Sequence, residues 1–248
     1  MIRVSQINKS FVGRQVLYDI SAVFEAGRTH LIIGQSGSGK TVLMKCLVGL
    51  LEVDSGNIEY DGRNFAGMNP TQRKTIRKEM GMLFQGGALF DSMNVQENVK
   101  FPLRMYSELS ASEMQKRVDF CLERVNLSNA HHLMPSEISG GMIKRVAIAR
   151  AIALNPKYLF CDEPNSGLDP QTAQLIDGLI AEITHEYNMI TIINTHDMNS
   201  VLEIGEDINF IFNGRLWWHG DRQTVLNSGN QELDTFVFST GLTKRIRP

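Results

Sequence analysis

A glycine-rich segment between two apolar runs constrains the fold of this 248-residue chain more than any other feature. The segment, GQSGSGKT at positions 34–41, matches the phosphate-binding pattern GxxxxGK[ST] in full. It follows the apolar run Leu31-Ile32-Ile33, which is typical of a buried strand, and precedes a predicted helical run over residues 42–51. A strand, a glycine loop and a helix in this order predict an α/β fold.

The residue types in this loop indicate its ligand. Glycines let backbone N–H groups turn inward around phosphate oxygens, and the N-terminus of a helix adds a positive partial charge. Lys40 adds a full charge, and the hydroxyl of Thr41 can ligate Mg²⁺. We expect a nucleoside triphosphate with Mg²⁺, held by eight consecutive residues: Gly34, Gln35, Ser36, Gly37, Ser38, Gly39, Lys40 and Thr41.

Two further apolar runs, over residues 158–161 and 190–193, also end in polar residues, as parallel strands of an open α/β sheet do where they bind ligands. The first ends in Asp162-Glu163. Side chains alternate along a strand, so we assign Asp162 to the metal and Glu163 to general-base catalysis. The second is followed by His196, which either makes a structural hydrogen bond or contacts a γ-phosphate; we favour the γ-phosphate contact.

The remaining pattern predicts how the chain is organised. Alternating residues near the N-terminus predict antiparallel strands, and residues 88–154 are mainly helical, with a helix start at Ser110. Ser139-Gly140-Gly141 precedes another helix and is either an anion site or a simple cap. We expect one domain over 1–248, with a catalytic core (1–87 and 155–220), an inserted helical subdomain (88–154) and a C-terminal extension (221–248).

Composition excludes several classes. The net charge of −2 gives no overall basic field for nucleic acid, and three separated cysteines favour reduced thiols over disulfides or structural zinc. No apolar run approaches the roughly 18 to 20 residues of a spanning helix, and the first residues do not open a secretory signal. If this protein serves a membrane, we expect it to dock from outside the bilayer. The basic residues Lys244, Arg245 and Arg247 are interpreted as a solvated end.

Taken together, the motifs resemble the nucleotide-binding subunits of ATP-binding cassette (ABC) transporters, over nearly the whole chain. Residues 34–41 correspond to Walker A, Tyr158 to Glu163 to Walker B with its glutamate, 166–169 to the D-loop, and His196 to the switch histidine. The resemblance implies a P-loop NTPase core of ABC type, with an N-terminal antiparallel β subdomain and the helical insert. It also implies ATP as the nucleotide, and hydrolysis that uses Glu163, His196 and Lys40.

The same resemblance assigns residues that are unremarkable alone. Gln85 corresponds to the Q-loop, at the nucleotide and its Mg²⁺, alongside Thr41 and Asp162. Ser139, Gly140 and Gly141 correspond to the signature, which reaches the ATP of a second copy in a head-to-tail homodimer. Phe11 corresponds to the aromatic residue that stacks on adenine, although a core Phe is nearly as consistent with the sequence. Met142 departs from the family, which has Gln there.

Residues 81–93 and 98–104 narrow the resemblance to the ATPases of Mla-type, MCE-associated lipid transporters. That likeness implies phospholipid movement between inner and outer membranes, with an MlaE-like permease, a periplasmic MCE protein and, in some members, a STAS-domain subunit. It places the chain peripherally on the cytoplasmic face of the inner membrane. Six apolar residues suit a groove for a permease helix or form the core of the insert: Leu89, Phe90, Met93, Phe101, Leu103 and Met105.

Three alternatives stay open at the level of sequence. The transporter could serve lipoprotein release, export or nutrient uptake. A mechanical or translation-associated ABC ATPase is a second class, although such proteins typically need a long coiled coil or tandem cassettes, which this chain lacks. A regulator that binds nucleotide without turnover is the third, and the intact Lys40, Asp162, Glu163 and His196 argue against it.

Overall fold

A computed structural model describes residues 1–238, so the basic tail at Lys244, Arg245 and Arg247 lies outside the described residues. The strands, in chain order, are β1 (Ile2–Phe11), β2 (Arg14–Phe24), β3 (Arg28–Ile33), β4 (Ser55–Tyr60), β5 (Arg63–Asn64), β6 (Met80–Leu83), β7 (Tyr158–Asp162), β8 (Ile190–Thr195), β9 (Asp207–Phe212) and β10 (Arg215–Gly220). The α-helices are α1 (Lys40–Leu47), α2 (Pro70–Lys78), α3 (Val95–Tyr106), α4 (Ala111–Arg124), α5 (Gly140–Ile152), α6 (Pro170–Glu186), α7 (Met198–Ile204) and α8 (Gln231–Val237).

The strands form two sheets. The first is antiparallel, in the order β2-β1-β4-β5, and the second has the order β10-β9-β3-β8-β7-β6. In the second sheet β3, β6, β7, β8 and β9 are parallel to their neighbours, and only β10 is antiparallel, to β9. The predicted fold class is therefore confirmed: an α/β core with an antiparallel N-terminal layer.

The central strands β3, β7 and β8 are buried on both faces, which explains why their sequences are continuously apolar. Alternate residues enter two different cores. Leu31, Ile33 and Cys161 pack with helices α3 to α6, whereas Ile32 and Phe160 pack with α1 and the antiparallel sheet. The parallel sheet thus lies between the N-terminal layer and the helical part of the chain.

Helices α3, α4 and α5 occupy most of the region predicted to be helical, and they pack against one another. The predicted helix start at Ser110 is confirmed, since its hydroxyl accepts from the Glu113 N–H at 3.3 Å while the Glu113 carboxylate accepts from the Ser110 N–H at 2.8 Å. Within residues 1–238, no helix has the length and apolar character needed to cross a membrane.

Helix α1 is shorter than the sequence predicts, because it ends at Leu47 rather than at residue 51. Gly49 has a φ of +73°, and a Cβ there would lie 2.6 Å from the Phe65 ring. The N–H groups of Leu50 and Leu51 both bond the Lys45 carbonyl and close the helix. A glycine in the left-handed conformation commonly follows the last turn of a helix. Here the Phe65 ring also leaves no room for a side chain at Gly49.

Candidate functional site

The three polar segments that follow β3, β7 and β8 meet at one edge of the parallel sheet. Because these strands are parallel and in register, their carboxyl ends lie side by side. A cavity of about 560 Å³ opens there. Its lining residues come from six parts of the chain: Val16, Gln35, Ser36, Gly37, Gly39, Lys40, Thr41, Val42, Gln85, Glu163, His196 and Phe236.

The loop before α1 has the features of an anion cradle. Gly39 is the N-cap of α1 and provides no side-chain cap, so the first N–H groups of the helix are left for a ligand. At Gly34 φ is +148°, and a Cβ would lie 2.3 Å from the Ile211 carbonyl oxygen, so only glycine fits. The buried Ser38 hydroxyl has no hydrogen-bond partner among the described residues. These donors fit a polyphosphate.

Lys40 is the cationic group of the cavity. It is only 6% exposed, and its Nζ donates to the carbonyl oxygens of Gly34 at 2.7 Å and Gln35 at 3.1 Å. Burial lowers the pKa of Lys40, while the nearby carboxylates of Glu163 and Asp162 act in the opposite direction. An ammonium group held against its own loop by two carbonyls is oriented for an anion at the loop opening.

Asp162 and Thr41 are suitable oxygen ligands for a divalent cation. Asp162 ends β7 and is 9% exposed, and its Oδ1 accepts from the Asn194 amide at 3.0 Å. Thr41 lines the cavity beside Lys40. Residues 1–238 contain no group of three or more His, Cys, Asp or Glu that could hold a metal alone. Few protein ligands are the expected pattern for Mg²⁺, which keeps waters and binds substrate phosphates.

Glu163 and His196 form a pair beside the cavity. The His196 Nδ1 lies 2.8 Å from both carboxylate oxygens of Glu163. The Glu163 side chain is 13% exposed, and that of His196 is 64% exposed. Glu163 has a φ of +50°, a left-handed conformation that costs a non-glycine residue roughly 1 kcal/mol or more. Its N–H donates to the Asn194 carbonyl at 3.0 Å, so strand β8 holds this backbone in place.

The other predicted residues divide between the cavity and the surface around it. Gln85 lines the cavity and is exposed. Ser139 and Gly140 are exposed at the start of α5 and do not line it; Gly141 is buried beside them. The Ser139 hydroxyl caps α5 by accepting from the Met142 N–H at 3.3 Å. Phe11 is 40% exposed at the end of β1, with the Lys9 Nζ 5.4 Å from its ring centroid, and does not line the cavity.

Three residues of the cavity wall were not predicted. Val42 directly follows the phosphate loop, whereas Val16 and Phe236 lie far from it in the sequence. Val16 lies on β2, in a segment predicted only as a strand. Phe236 belongs to α8, and its ring packs 5.6 Å from that of Phe210 on β9. No motif marks either residue, because both reach the cavity only through packing of the two sheets and the last described helix.

A separate apolar groove of about 420 Å³ lies between α2, α3 and α5. Of the six residues predicted for a groove, Phe90 and Phe101 line it, with their ring centroids 4.7 Å apart. Leu103 is instead 1% exposed in the core. Arg150 of α5 donates to the carbonyls of Gly87 at 2.7 Å and Ala88 at 2.8 Å, and so fixes the segment between Gln85 and the groove.

Comparisons with known proteins agree with this geometry. A profile of the family described as "ABC transporter" matches residues 17–166. The "Intermembrane phospholipid transport system ATP-binding protein MlaF" of Escherichia coli K12 is 40% identical over 226 residues, which cover 91% of this chain and 84% of that protein. The "Probable ribonucleotide transport ATP-binding protein mkl" of Mycobacterium tuberculosis H37Rv is 36% identical over 236 residues, 95% of this chain. The matched part is 66% of mkl, slightly less than two thirds of its length.

A solved structure extends the comparison to the fold. The dimeric bacterial ABC transporter cassette MJ0796 is 28% identical and superimposes with a TM-score of 0.82, over 90% of this chain and 99% of that one. The same cassette in a dimeric post-hydrolysis state, bound to ADP and Pi, superimposes with a TM-score of 0.81.

Proposed function

This chain belongs to the ABC transporter family, and from that premise we propose that it is the ATP-hydrolysing subunit of a membrane transporter. The main support is the single cavity lined by the phosphate-loop residues, Gln85, Glu163 and His196. These residues are far apart in the sequence, and the fold brings them into one cavity, as expected of an ABC ATPase. Similarity in the phosphate loop alone would not place Gln85, Glu163 and His196 beside it.

In this proposal the loop over residues 34–41 binds the phosphates of ATP. The N–H groups at the start of α1, the Ser38 hydroxyl and the Lys40 ammonium are the donors. Mg²⁺, when bound, neutralises charge on the phosphate oxygens. Thr41 and Asp162 are the residues that would hold it, together with Gln85, which lines the same cavity as Thr41.

Glu163 is the proposed general base, which removes a proton from the attacking water. Proton transfer by a positioned carboxylate is worth roughly 10²–10⁴-fold in rate. His196 Nδ1, 2.8 Å from the carboxylate, fixes its direction. Because His196 is largely exposed at the cavity, it is also the residue we assign to the γ-phosphate. The same His196 ring would then contact both the Glu163 carboxylate and the γ-phosphate.

A second copy completes the site in our proposal. Ser139 and Gly140 are exposed at the N-terminus of α5 and lie outside the cavity of their own chain. Their N–H groups and hydroxyl suit the phosphates of an ATP held by a facing copy. The dimeric state of the MJ0796 cassette supports this arrangement.

The transported substrate that we propose is phospholipid, moved between inner and outer membranes. The 40% identity to MlaF, whose name includes intermembrane phospholipid transport, supports this choice. The partners would be an MlaE-like permease, an MCE protein and, if this chain follows those members that have one, a STAS-domain subunit, with this chain peripheral on the cytoplasmic face. The groove lined by Phe90 and Phe101 would receive a permease helix. A second candidate, ribonucleotide transport, is favoured by the name of mkl.

Purification of the intact complex from membranes tests the proposal. We expect membrane subunits and bound phospholipid, identified by mass spectrometry, and Mg·ATP hydrolysis that falls at least about 100-fold in the Glu163→Gln variant. This variant should still bind Mg·ATP and should favour a closed dimer. Bound ribonucleotide cargo without lipid would favour the second candidate. Wild-type phosphate release by Glu163→Gln would remove Glu163 from the role of base.

A further inference from the structure

Two sets of contacts join the segment that contains Glu163 to the segment that contains His196. One connection is the direct contact between the two side chains, 2.8 Å long. The other is buried behind them. Asn165, two residues after Glu163, donates from its Nδ2 to the Ser200 hydroxyl at 2.8 Å, and Ser200 lies on α7, which follows His196. Asn165 is 6% exposed and Ser200 1%.

Asp177 of α6 joins this buried connection. Its Oδ2 accepts from the Asn165 amide at 3.1 Å and from the Ser200 hydroxyl at 2.6 Å. The Asn165 amide also lies 3.5 Å from a carboxylate oxygen of Asp197, the N-cap of α7. One carboxylate on a third element therefore contacts both the loop after Glu163 and helix α7, which begins two residues after His196. Asp177 itself does not line the nucleotide cavity.

Stability alone does not account for an aspartate at this position. Asp177 is 2% exposed, and its Oδ1 has no hydrogen-bond partner within residues 1–238. Burial raises the pKa of Asp177 to about 6, which expresses the cost of keeping this carboxylate charged. Apart from Thr184, whose hydroxyl has hydrogen-bond partners, the other buried positions of α6 are apolar, among them Ile176 and Ile180. An apolar residue of similar size would avoid that cost.

We propose that Asp177 is a positioning residue for ATP hydrolysis, which holds the loop after Glu163 and the start of α7 in one fixed arrangement. This inference rests on the proposed function. The direct contact between His196 and Glu163 involves side chains that line the nucleotide cavity. Asp177 lies outside that cavity and lines a neighbouring one of about 900 Å³, which Glu163 and His196 also line. Asp177 therefore keeps the base and the histidine aligned when their own contact changes. Small displacements of reacting groups can cost roughly 100-fold in rate, so such alignment is kinetically significant.

The test compares variants of the full chain, purified with its co-purifying partners, in steady-state Mg·ATP hydrolysis. Asp177→Leu removes both acceptor contacts, and we expect kcat to fall about tenfold or more with KM changed less than about twofold. Asp177→Asn retains an acceptor oxygen of the same geometry and should keep kcat within about threefold of the wild type. Thr184→Val is the matched control, because it removes a buried hydroxyl from the same helix. That hydroxyl bonds the Ile180 carbonyl at 2.7 Å and the Thr191 hydroxyl at 2.6 Å, and neither partner belongs to the loop after Glu163 or to helix α7.

Ser200→Ala keeps the test decisive if Asp177→Leu does not fold. It removes only the hydroxyl that bonds Asp177 and Asn165, and kcat should fall about threefold or more. Wild-type kcat in Asp177→Leu, or in Ser200→Ala if that is the variant that folds, would overturn the inference, as would an equal loss in Thr184→Val. Glu163→Gln separates the two claims. If it hydrolyses ATP like the wild type, the proposed function fails; if it is inactive while Asp177→Leu is fully active, only the positioning role fails.

Discussion

At the scale of residues, the cavity groups Lys40, Glu163 and His196 each lie in a short motif next to the end of an apolar strand. Asp177, Val16 and Phe236 lie in no such motif. Asp177 lies in the middle of a helix, and its contacts with Asn165 and Ser200 arise only when α6, α7 and the loop after β7 pack together.

Asp177 leads to a prediction about stability and pH. Its pKa is raised to about 6 by burial, whereas an unfolded aspartate titrates near 3.9. Between these values the folded chain holds a proton that the unfolded chain has released, so this group stabilises the fold at low pH. That contribution, about 3 kcal/mol, is lost as pH rises from about 4 to 7. Relative to the wild type, Asp177→Asn should therefore gain stability over this range.

Urea unfolding of both proteins at several pH values measures this difference. Because every other titrating group is common to the two chains, the difference between their free energies of unfolding isolates residue 177. The free energy of unfolding of Asp177→Asn minus that of the wild type should increase as pH rises. If it stays constant or decreases, the raised pKa of Asp177 is contradicted.

Met142 gives a second prediction at this scale. Its N–H is bonded by the Ser139 hydroxyl, and the thioether side chain cannot hydrogen-bond as the amide of the family's Gln does. Ser139 and backbone N–H groups must therefore bind the nucleotide of the facing copy without help from this side chain. Met142→Gln should leave ATP turnover within about threefold of the wild type. A collapse of phosphate release in this variant would show that the thioether has a specific role.

At the scale of elements, continuous apolar runs correctly predicted the strands β3, β7 and β8, since strands covered on both faces need apolar residues throughout. Helices α2 and α6 were not predicted. Helix α6 begins with the Asp169 cap and Pro170, but Asp169 is also the last residue of the D-loop motif over 166–169, so the sequence indicates a loop there. Helix α2 buries only Ile76, so its sequence has almost no apolar periodicity.

The groove between α2, α3 and α5 is the surface where we expect a permease helix to dock, and substitutions there test this expectation. Phe90 is 41% exposed in the groove, and Phe120 on α4 is 37% exposed outside it. A charge in an apolar groove opposes docking of an apolar helix face. Phe90→Asp should therefore lose membrane subunits on co-purification, while Phe120→Asp should retain them. If folded Phe90→Asp retains its partners as well as Phe120→Asp does, the groove is not the docking surface.

At the scale of the whole molecule, the two cores share the parallel sheet, and its strand ends form the nucleotide cavity. The core that includes α3 to α6 contacts one face of β3 and β7, and the core beneath the antiparallel layer contacts the other. A shift of the helical part or of the N-terminal layer would therefore reach the same strand ends. The division of the chain into a core, a helical insert and an extension stays a prediction.

The most direct test of the account is calorimetric titration of Mg·ATP into the full chain, its Lys40→Ala variant and its Lys45→Ala variant. Lys45 is a matched control, because it is an exposed lysine on the same helix that does not line the cavity. We predict that the wild type and Lys45→Ala bind Mg·ATP with affinities within about twofold, and that Lys40→Ala binds at least about tenfold more weakly. Equal binding by Lys40→Ala, or no binding by the wild type, would contradict the assignment of this cavity to ATP.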